Sequence, residues 1–166
     1  STFRHAITSN GWPSFHLEDY VAQSQSFQAN LLSLLHEGVF TKFPTVTFVL
    51  LESGFTWMPT FLWRANKTWR GVRTEVPWVD KPPAAFIRDH VRITLQPTDA
   101  PPTGEDMARL LELLGSDDML LFSTDYPHRQ FDGTDPWPAG FTEAQKRKVL
   151  VDNPCNAYPR LKEALQ

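Results

Sequence analysis

The sequence predicts an α/β fold built on a parallel β-sheet. Leu120–Thr124 is apolar enough for a strand that helices cover on both faces. Segments rich in β-branched and aromatic residues alternate with segments of helical periodicity, which is the pattern of parallel strands joined by helices. A complete (β/α)8 barrel takes about 250 residues, whereas this chain has 166. We therefore expect a single domain, 1–166, that forms part of such a barrel.

The first half of the chain is predicted to contain a long helix, a strand and a second helix. The long helix covers Ser14–His36, is crowded with leucines near its end, and is expected to stop at Gly38. A strand over Val46–Leu51 follows. The next helix covers Met58–Thr68 and has a proline in its first turn, where the missing N–H costs little.

The second half continues the alternation after a proline-rich loop. Helix Glu105–Leu114 presents its apolar residues on one side and is expected to end at Gly115. Thr142 and Gln145 have the spacing of a capping box at a helix start. The remaining predicted elements are the loop Gly71–Pro83, the helix Ala84–His90, the strand Val91–Leu95, the loop Arg129–Gly140, the capped helix as far as Val151, and a last helix from Pro154 to the C-terminus.

Composition and charge exclude several classes of function. The formal net charge is −3 and no basic block is present, which argues against nucleic acid or an anionic membrane as a partner. No apolar run approaches the roughly 20 residues of a membrane-spanning helix. The single cysteine, Cys155, cannot form an internal disulfide, and this usage suggests a reducing compartment. The sequence therefore predicts a cytoplasmic protein.

Acidic residues stand at the carboxyl ends of two predicted strands, where α/β folds place their ligands and chemistry. Asp125 follows the strand Leu120–Thr124, and Glu52 follows the strand of the first half. Structural roles are open for both. Asp125 could cap a loop or pair with an arginine, and Glu52 could form a buried salt bridge with Arg64 or Arg88.

Three motifs in a fixed order carry a resemblance to a known family. They are Gly38–Pro44 (GVFTKFP), Leu51–Trp57 (LESGFTW) and Leu121–His128 (LFSTDYPH). Together they resemble the amidohydrolase-related proteins, the branch of the metal-dependent amidohydrolase superfamily that includes aminocarboxymuconate semialdehyde decarboxylase and γ-resorcylate decarboxylase. The similarity extends from Gly11 to Leu161. It implies the C-terminal half of a TIM barrel, with helix 5 followed by strand–helix units 6, 7 and 8.

The resemblance implies a divalent metal, often zinc. Family members typically bind it through a His-x-His pair after the first strand, a histidine after the fifth and an aspartate after the eighth. Asp125 is the position that resembles this aspartate. The resemblance implies that Asp125 is a metal ligand, and an aspartate at a metal can also relay a proton. His5 falls near the place of the fifth-strand histidine, but the distance looks too short, which favours a loop histidine in solvent. No His-x-His occurs in the chain, so the implied site is incomplete here.

Two further residues are candidates for catalysis. His128 lies three residues after Asp125 and could orient substrate or accept a proton near neutral pH, or it could pack within its loop. Glu52 could be a metal ligand, a support for a ligand, or an acceptor for substrate. Many relatives have a His-Gly-Gly run at this place, whereas this chain has Glu52-Ser53-Gly54. The difference puts ordinary decarboxylase chemistry in doubt. A tryptophan cluster is predicted to pack in the core and not to bind substrate: Trp57, Trp63 and Trp69.

Two functions fit these observations. The first is the C-terminal portion of a metal-dependent hydrolase or non-oxidative decarboxylase that acts on a small carboxylate substrate, with aromatic and cyclic compounds among the options. The second is a non-catalytic half-barrel for binding or assembly that lacks the His-x-His pair. An N-terminal extension carrying that pair would favour the enzyme. Unpaired apolar edge strands invite pairing, so we expect the N-terminal half of the barrel as a partner, or self-association.

Overall fold

The computed structural model describes residues 11–128, 131, 133 and 136–164, which form a parallel sheet and its flanking helices. His5 therefore lies outside the described residues. In chain order the elements are α1 His16–His36, α2 Val39–Lys42, β1 Phe48–Leu50, α3 Met58–Val72, α4 Pro83–His90, β2 Val91–Thr94, α5 Gly104–Leu114, β3 Leu120–Leu121, α6 Glu143–Arg147, α7 Asn153–Ala157 and α8 Pro159–Ala164.

The sheet has the order β1-β2-β3, and both pairings are parallel. Ile93 at the centre of β2 lies opposite Leu50 of β1 and Leu120 of β3. A helix connects each strand to the next, as the alternation of sequence patterns predicted. The α/β class and the parallel sheet are therefore confirmed.

The paired strands are shorter than predicted. β1 covers three residues of the predicted Val46–Leu51, and β3 covers two residues of the predicted Leu120–Thr124. Within the described residues β2 is the only partner of either strand, and β2 itself ends at Thr94, opposite Leu121. A strand can extend only as far as its neighbour supplies backbone partners, and hydrophobicity alone does not reveal that limit.

Helix ends follow the sequence signals closely. Gly38 adopts the left-handed conformation with φ of 73° after α1, and its N–H donates to the Leu35 carbonyl at 3.1 Å. Gly115 ends α5 in the same way, with φ of 74°. Thr142 and Gln145 form the predicted capping box of α6. A glycine accepts positive φ without steric cost, which explains why these two stop signals are reliable.

The C-terminal region is more broken than predicted. After α6 the chain forms a π-helical turn over Lys148–Asp152, and α7 and α8 replace one continuous helix. Pro159 has no backbone N–H to continue the first of these helices, so the break falls at Tyr158. The buried Asn153 side chain anchors this region, because its Nδ2 donates to the carbonyls of Asp117 and Leu120 at 2.8 Å each.

The core lies where the sheet meets α1, α3, α4 and α5. Trp57 and Trp69 pack against it, as predicted. Trp63 does not, because half of its surface is exposed. Among the described residues, no helix combines the length and apolar character needed to cross a membrane. The largest fully buried side chains are Phe40, Phe55, Leu31, Leu35, Met58, Leu62, Ile87, Ile93, Met107, Leu114, Met119 and Leu120.

Candidate functional site

The structure brings Glu52, Asp125 and His128 together. Each residue offers one potential ligand atom, and these atoms all lie within 4.8 Å of one another. Glu52 follows β1 and Asp125 follows β3, two strands that run parallel on either side of β2. The parallel arrangement places their carboxyl ends at the same edge of the sheet, which explains why residues distant in sequence meet there.

Both acids of this cluster adopt an uncommon backbone conformation. Glu52 has φ of 59° and Asp125 has φ of 57°, in the left-handed region that β-carbons disfavour. Aspartate tolerates this region better than glutamate does. Such conformations cost about 1–3 kcal/mol each and cluster at functional sites. Two such positions, both on carboxylates, lie at one edge of the sheet, which makes this edge the candidate functional site.

Thr94 at the end of β2 fixes the position of Glu52. The Glu52 N–H donates to the Thr94 hydroxyl oxygen at 3.2 Å. Thr94 is buried, and its hydroxyl lies 3.3 Å from the Gln96 carbonyl oxygen, which accepts its proton. The middle strand therefore holds the backbone of the acid that follows its neighbour.

Asp99, in the loop after β2, holds the segment that follows Glu52. Its Oδ1 accepts from the Phe55 N–H at 3.2 Å, and its Oδ2 accepts from the Thr56 hydroxyl at 2.8 Å. Gly54 makes this approach possible, since a β-carbon there would lie 2.6 Å from Asp99 Oδ2. The loop behind Glu52 is thus tied to the neighbouring strand–helix connection.

Asp125 and His128 form a hydrogen-bonded pair. Nδ1 of His128 lies 2.6 Å from Oδ1 of Asp125. The Asp125 side chain is only 5% exposed, whereas that of His128 is 65% exposed. A carboxylate that accepts the Nδ1–H proton fixes the tautomer and leaves Nε2 for a ligand or a proton. The partner of Asp125 is therefore a histidine and not an arginine.

The structural alternatives for the other two residues are wrong. Glu52 is exposed, so it does not form a buried salt bridge. Arg88 instead donates its Nε–H to the Leu114 carbonyl at 3.0 Å, and Arg64 lines a groove between α1 and α3. His128 is too exposed to be a loop-packing residue.

Tyr20 of α1 is a neighbour that the sequence did not reveal. Its phenol is half-buried, and burial followed by the negative charges of Asp125 and Glu52 raises its pKa above the ordinary value. The phenol therefore lies within the electrostatic field of both carboxylates. A lone tyrosine in the first turns of a long helix carries no motif, so no sequence signal could have identified it.

A sequence profile of the amidohydrolase family matches residues 7–160. The chain belongs to the amidohydrolase family. The resemblance carried by the three motifs is thereby confirmed over nearly the whole chain. The comparison with curated proteins gave no match.

Two of the solved structures that are similar to this amidohydrolase-family chain illustrate the likeness. An amidohydrolase from Mycobacterium avium subspecies paratuberculosis K-10 is 25% identical to this chain, with a TM-score of 0.65. The similarity covers 85% of this chain and 35% of that amidohydrolase. A dihydroxybenzoic acid decarboxylase from Polaromonas sp. JS666, solved with bound manganese and the inhibitor 2-nitroresorcinol, is 22% identical, with a TM-score of 0.59. The similarity covers 81% of this chain and 40% of that decarboxylase. The chain thus spans about two fifths or less of either protein.

The residues of the cluster suit a divalent cation. Two carboxylates and one imidazole are donors that Zn²⁺ and Mn²⁺ both accept. A cation would also reduce the repulsion between the Glu52 and Asp125 charges, which lie within 4.8 Å of one another. The donor set of this family member therefore fits the metal that its family implies.

The Tyr20 phenol reports on the charge of this site. We expect Asp125→Asn to lower the pKa of Tyr20 toward its ordinary value, because the substitution removes the larger of the two carboxylate contributions. Glu52→Gln should lower it by less. NMR titration of tyrosine labelled at the ring carbons measures both, with the Tyr20 signal assigned by Tyr20→Phe.

Glu112→Gln, an exposed change on α5, is the matched control and should leave this titration unchanged. An equal response to all three substitutions would mean that Tyr20 does not lie close to Asp125 and Glu52.

Proposed function

We propose that this chain carries the strand 6 to strand 8 side of a metal-dependent amidohydrolase-family enzyme, a hydrolase or a non-oxidative decarboxylase of a small carboxylate. The observation that carries this proposal is the convergence of Glu52, Asp125 and His128 within 4.8 Å. Membership of the family supports an enzyme. The left-handed backbone of both acids supports a site maintained at some cost to stability.

Glu52 and Asp125 are the residues that would hold the metal, with His5 as a further candidate outside the described residues, and His128 is left for proton transfer. We propose zinc, which accepts both carboxylate oxygen and imidazole nitrogen. Manganese is the alternative, because the Polaromonas decarboxylase was solved with it. A bound divalent metal supplies Lewis-acid polarisation of a carbonyl or carboxylate and lowers the pKa of water.

The proposed roles of the side chains follow from their hydrogen bonds. Asp125 accepts the Nδ1 proton of His128 and so orients the imidazole. His128, which is largely exposed, then presents Nε2 as the group that takes or returns a proton. Tyr20 has a phenolic O–H that can donate a hydrogen bond to a substrate oxygen.

A small carboxylate, with aromatic compounds among the options, is the substrate class that we propose. The inhibitor in the Polaromonas decarboxylase is a substituted resorcinol, so that protein binds a small aromatic ring. The departure at Glu52 distinguishes this chain from relatives with histidine at that place. A carboxylate at this place makes the site more negative, so it repels a carboxylate substrate. A bound metal cation would offset that repulsion and hold the substrate.

Further strands are proposed to complete the sheet. Within the described residues β1 and β3 each pair on one side only. Val46 and Leu51 beside β1 are 36% and 60% exposed, so apolar surface accompanies the open edge. We propose that the N-terminal half of a barrel, or a second copy of the chain, pairs with these edges.

In the complete barrel, Asp125→Asn should reduce turnover by about a hundredfold or more. This is the scale of the effect when an acid–base group is lost. Asparagine also tolerates positive φ, so the backbone at this position should persist while the charge is lost. Release of CO₂ from a panel of hydroxybenzoates, together with hydrolysis of aryl esters and amides, measures the effect and separates the two reactions.

Asp80→Asn, an exposed loop change, is the control and should leave turnover intact. Wild-type turnover in Asp125→Asn with unchanged metal content would contradict the proposed role. No activity in the wild-type protein with any substrate of either class would favour the non-catalytic binding or assembly module.

The 166-residue chain expressed by itself should not behave as a stable monomer. Its open strand edges and exposed apolar residues call for a partner surface, and an obligate interface of this kind buries more than roughly 2,000 Å². Sedimentation at low micromolar concentration, with a parallel urea denaturation curve, measures this. A cooperative monomer of 19.0 kDa would contradict the expectation.

A further inference from the structure

A groove of about 630 Å³ lies between α1 and α3, apart from the site described above. The second half of α1 forms one wall, and one face of α3 with the turn after it forms the other. Leu32, Phe61, Ala65 and Trp69 give the groove an apolar lining. Phe61 is buried and the other three are half-buried, so these side chains form a surface that is neither closed core nor ordinary exterior.

The aromatic wall of the groove is held in place. The Trp69 ring N–H donates to the Val79 carbonyl at 3.0 Å. The Arg73 guanidinium lies 5.8 Å from the centre of the Trp69 ring, within the range of a cation–π contact. A tryptophan fixed by both contacts offers a rigid apolar face at little entropic cost.

Arg64 is the basic residue of α3 that lines this groove. Its guanidinium has no hydrogen bond or ion pair with any residue that the structure describes. Helix α3 carries Lys67 and Arg70 as well and contains no acid, although the whole chain has a net charge of −3. An unpaired guanidinium beside an apolar lining is complementary to a ligand with one anionic end and one apolar end.

We propose that this groove binds a small amphipathic monocarboxylate, with the carboxylate at Arg64 and the apolar body against Leu32, Phe61 and Trp69. A guanidinium matches a carboxylate in two parallel hydrogen bonds. Glu75 also lines the groove, and its carboxylate repels a second negative charge, which favours a monoanion. This site is separate from the proposed metal site and requires no catalytic activity.

The size of the groove favours a small molecule over a helix of a partner protein. Small-molecule sites commonly occupy about 300–1,000 Å³ and combine an apolar lining with a few polar groups that fix orientation. The groove falls within that range and has one unpaired cation for one anion. An acidic amphipathic helix would extend beyond the groove and would depend on Lys67 and Arg70 as well.

Octanoate is a suitable probe and 1-octanol is its neutral counterpart. We expect octanoate to bind the full chain, followed by NMR or calorimetry, at least tenfold more tightly than 1-octanol. Arg64→Gln should weaken octanoate binding by about tenfold or more, the value of a charge-assisted contact. Ala65→Leu, which fills the groove without changing its charge, should weaken both probes.

Arg70→Gln is the matched control, because Arg70 lies on the same helix but does not line the groove, and it should leave octanoate binding unchanged. Urea midpoints compare the folding of the variants, and Arg64 is exposed, so its replacement should leave stability nearly unchanged. Equal binding of the two probes, or equal losses in Arg64→Gln and Arg70→Gln, would overturn the proposal. Binding of an acidic amphipathic peptide that octanoate does not displace would also overturn it.

Discussion

The parallel pairing of β1 and β3 with β2 is the constraint on which the site depends. Because the strands run in the same direction, Glu52 and Asp125 leave the sheet at the same edge. Thr94 of the middle strand bonds to the backbone of Glu52, and Asp99 of the next loop holds the segment behind it. A shift in the register of β2 would therefore move the cluster and its support together.

Electrostatics decides what this edge can do. Glu52 and Asp125 bring two negative charges close together, and the same charges raise the pKa of Tyr20. Like charges at this separation are costly unless a positive group compensates them. His128 can supply part of the compensation when protonated, and a divalent cation supplies more. This arrangement suits the metal site that we propose, with His128 as its proton-transfer group.

The sequence was sufficient for the α/β class and the parallel sheet, but not for what surrounds the candidate acids. Periodicity and stop signals located α1 and α5, because Gly38 and Gly115 act through local backbone preference. Strand lengths were overestimated because they depend on the partner strand. Tyr20 could not be identified, because its contribution arises from distant segments that only folding brings together. The pairing of His128 with Asp125 had a local signal, their three-residue spacing.

Divalent-cation binding by this chain assembled with the rest of its barrel tests the central claim most directly. Calorimetric titration with Zn²⁺ and Mn²⁺ should show one site per chain. Binding should weaken at least tenfold in Glu52→Gln, because even the loss of a residue that only supports a ligand costs about 10–100-fold. The exposed change Glu112→Gln should have no effect. Unaltered cation affinity in Glu52→Gln would contradict the account, because the proposed cluster would then not be the site that holds the metal.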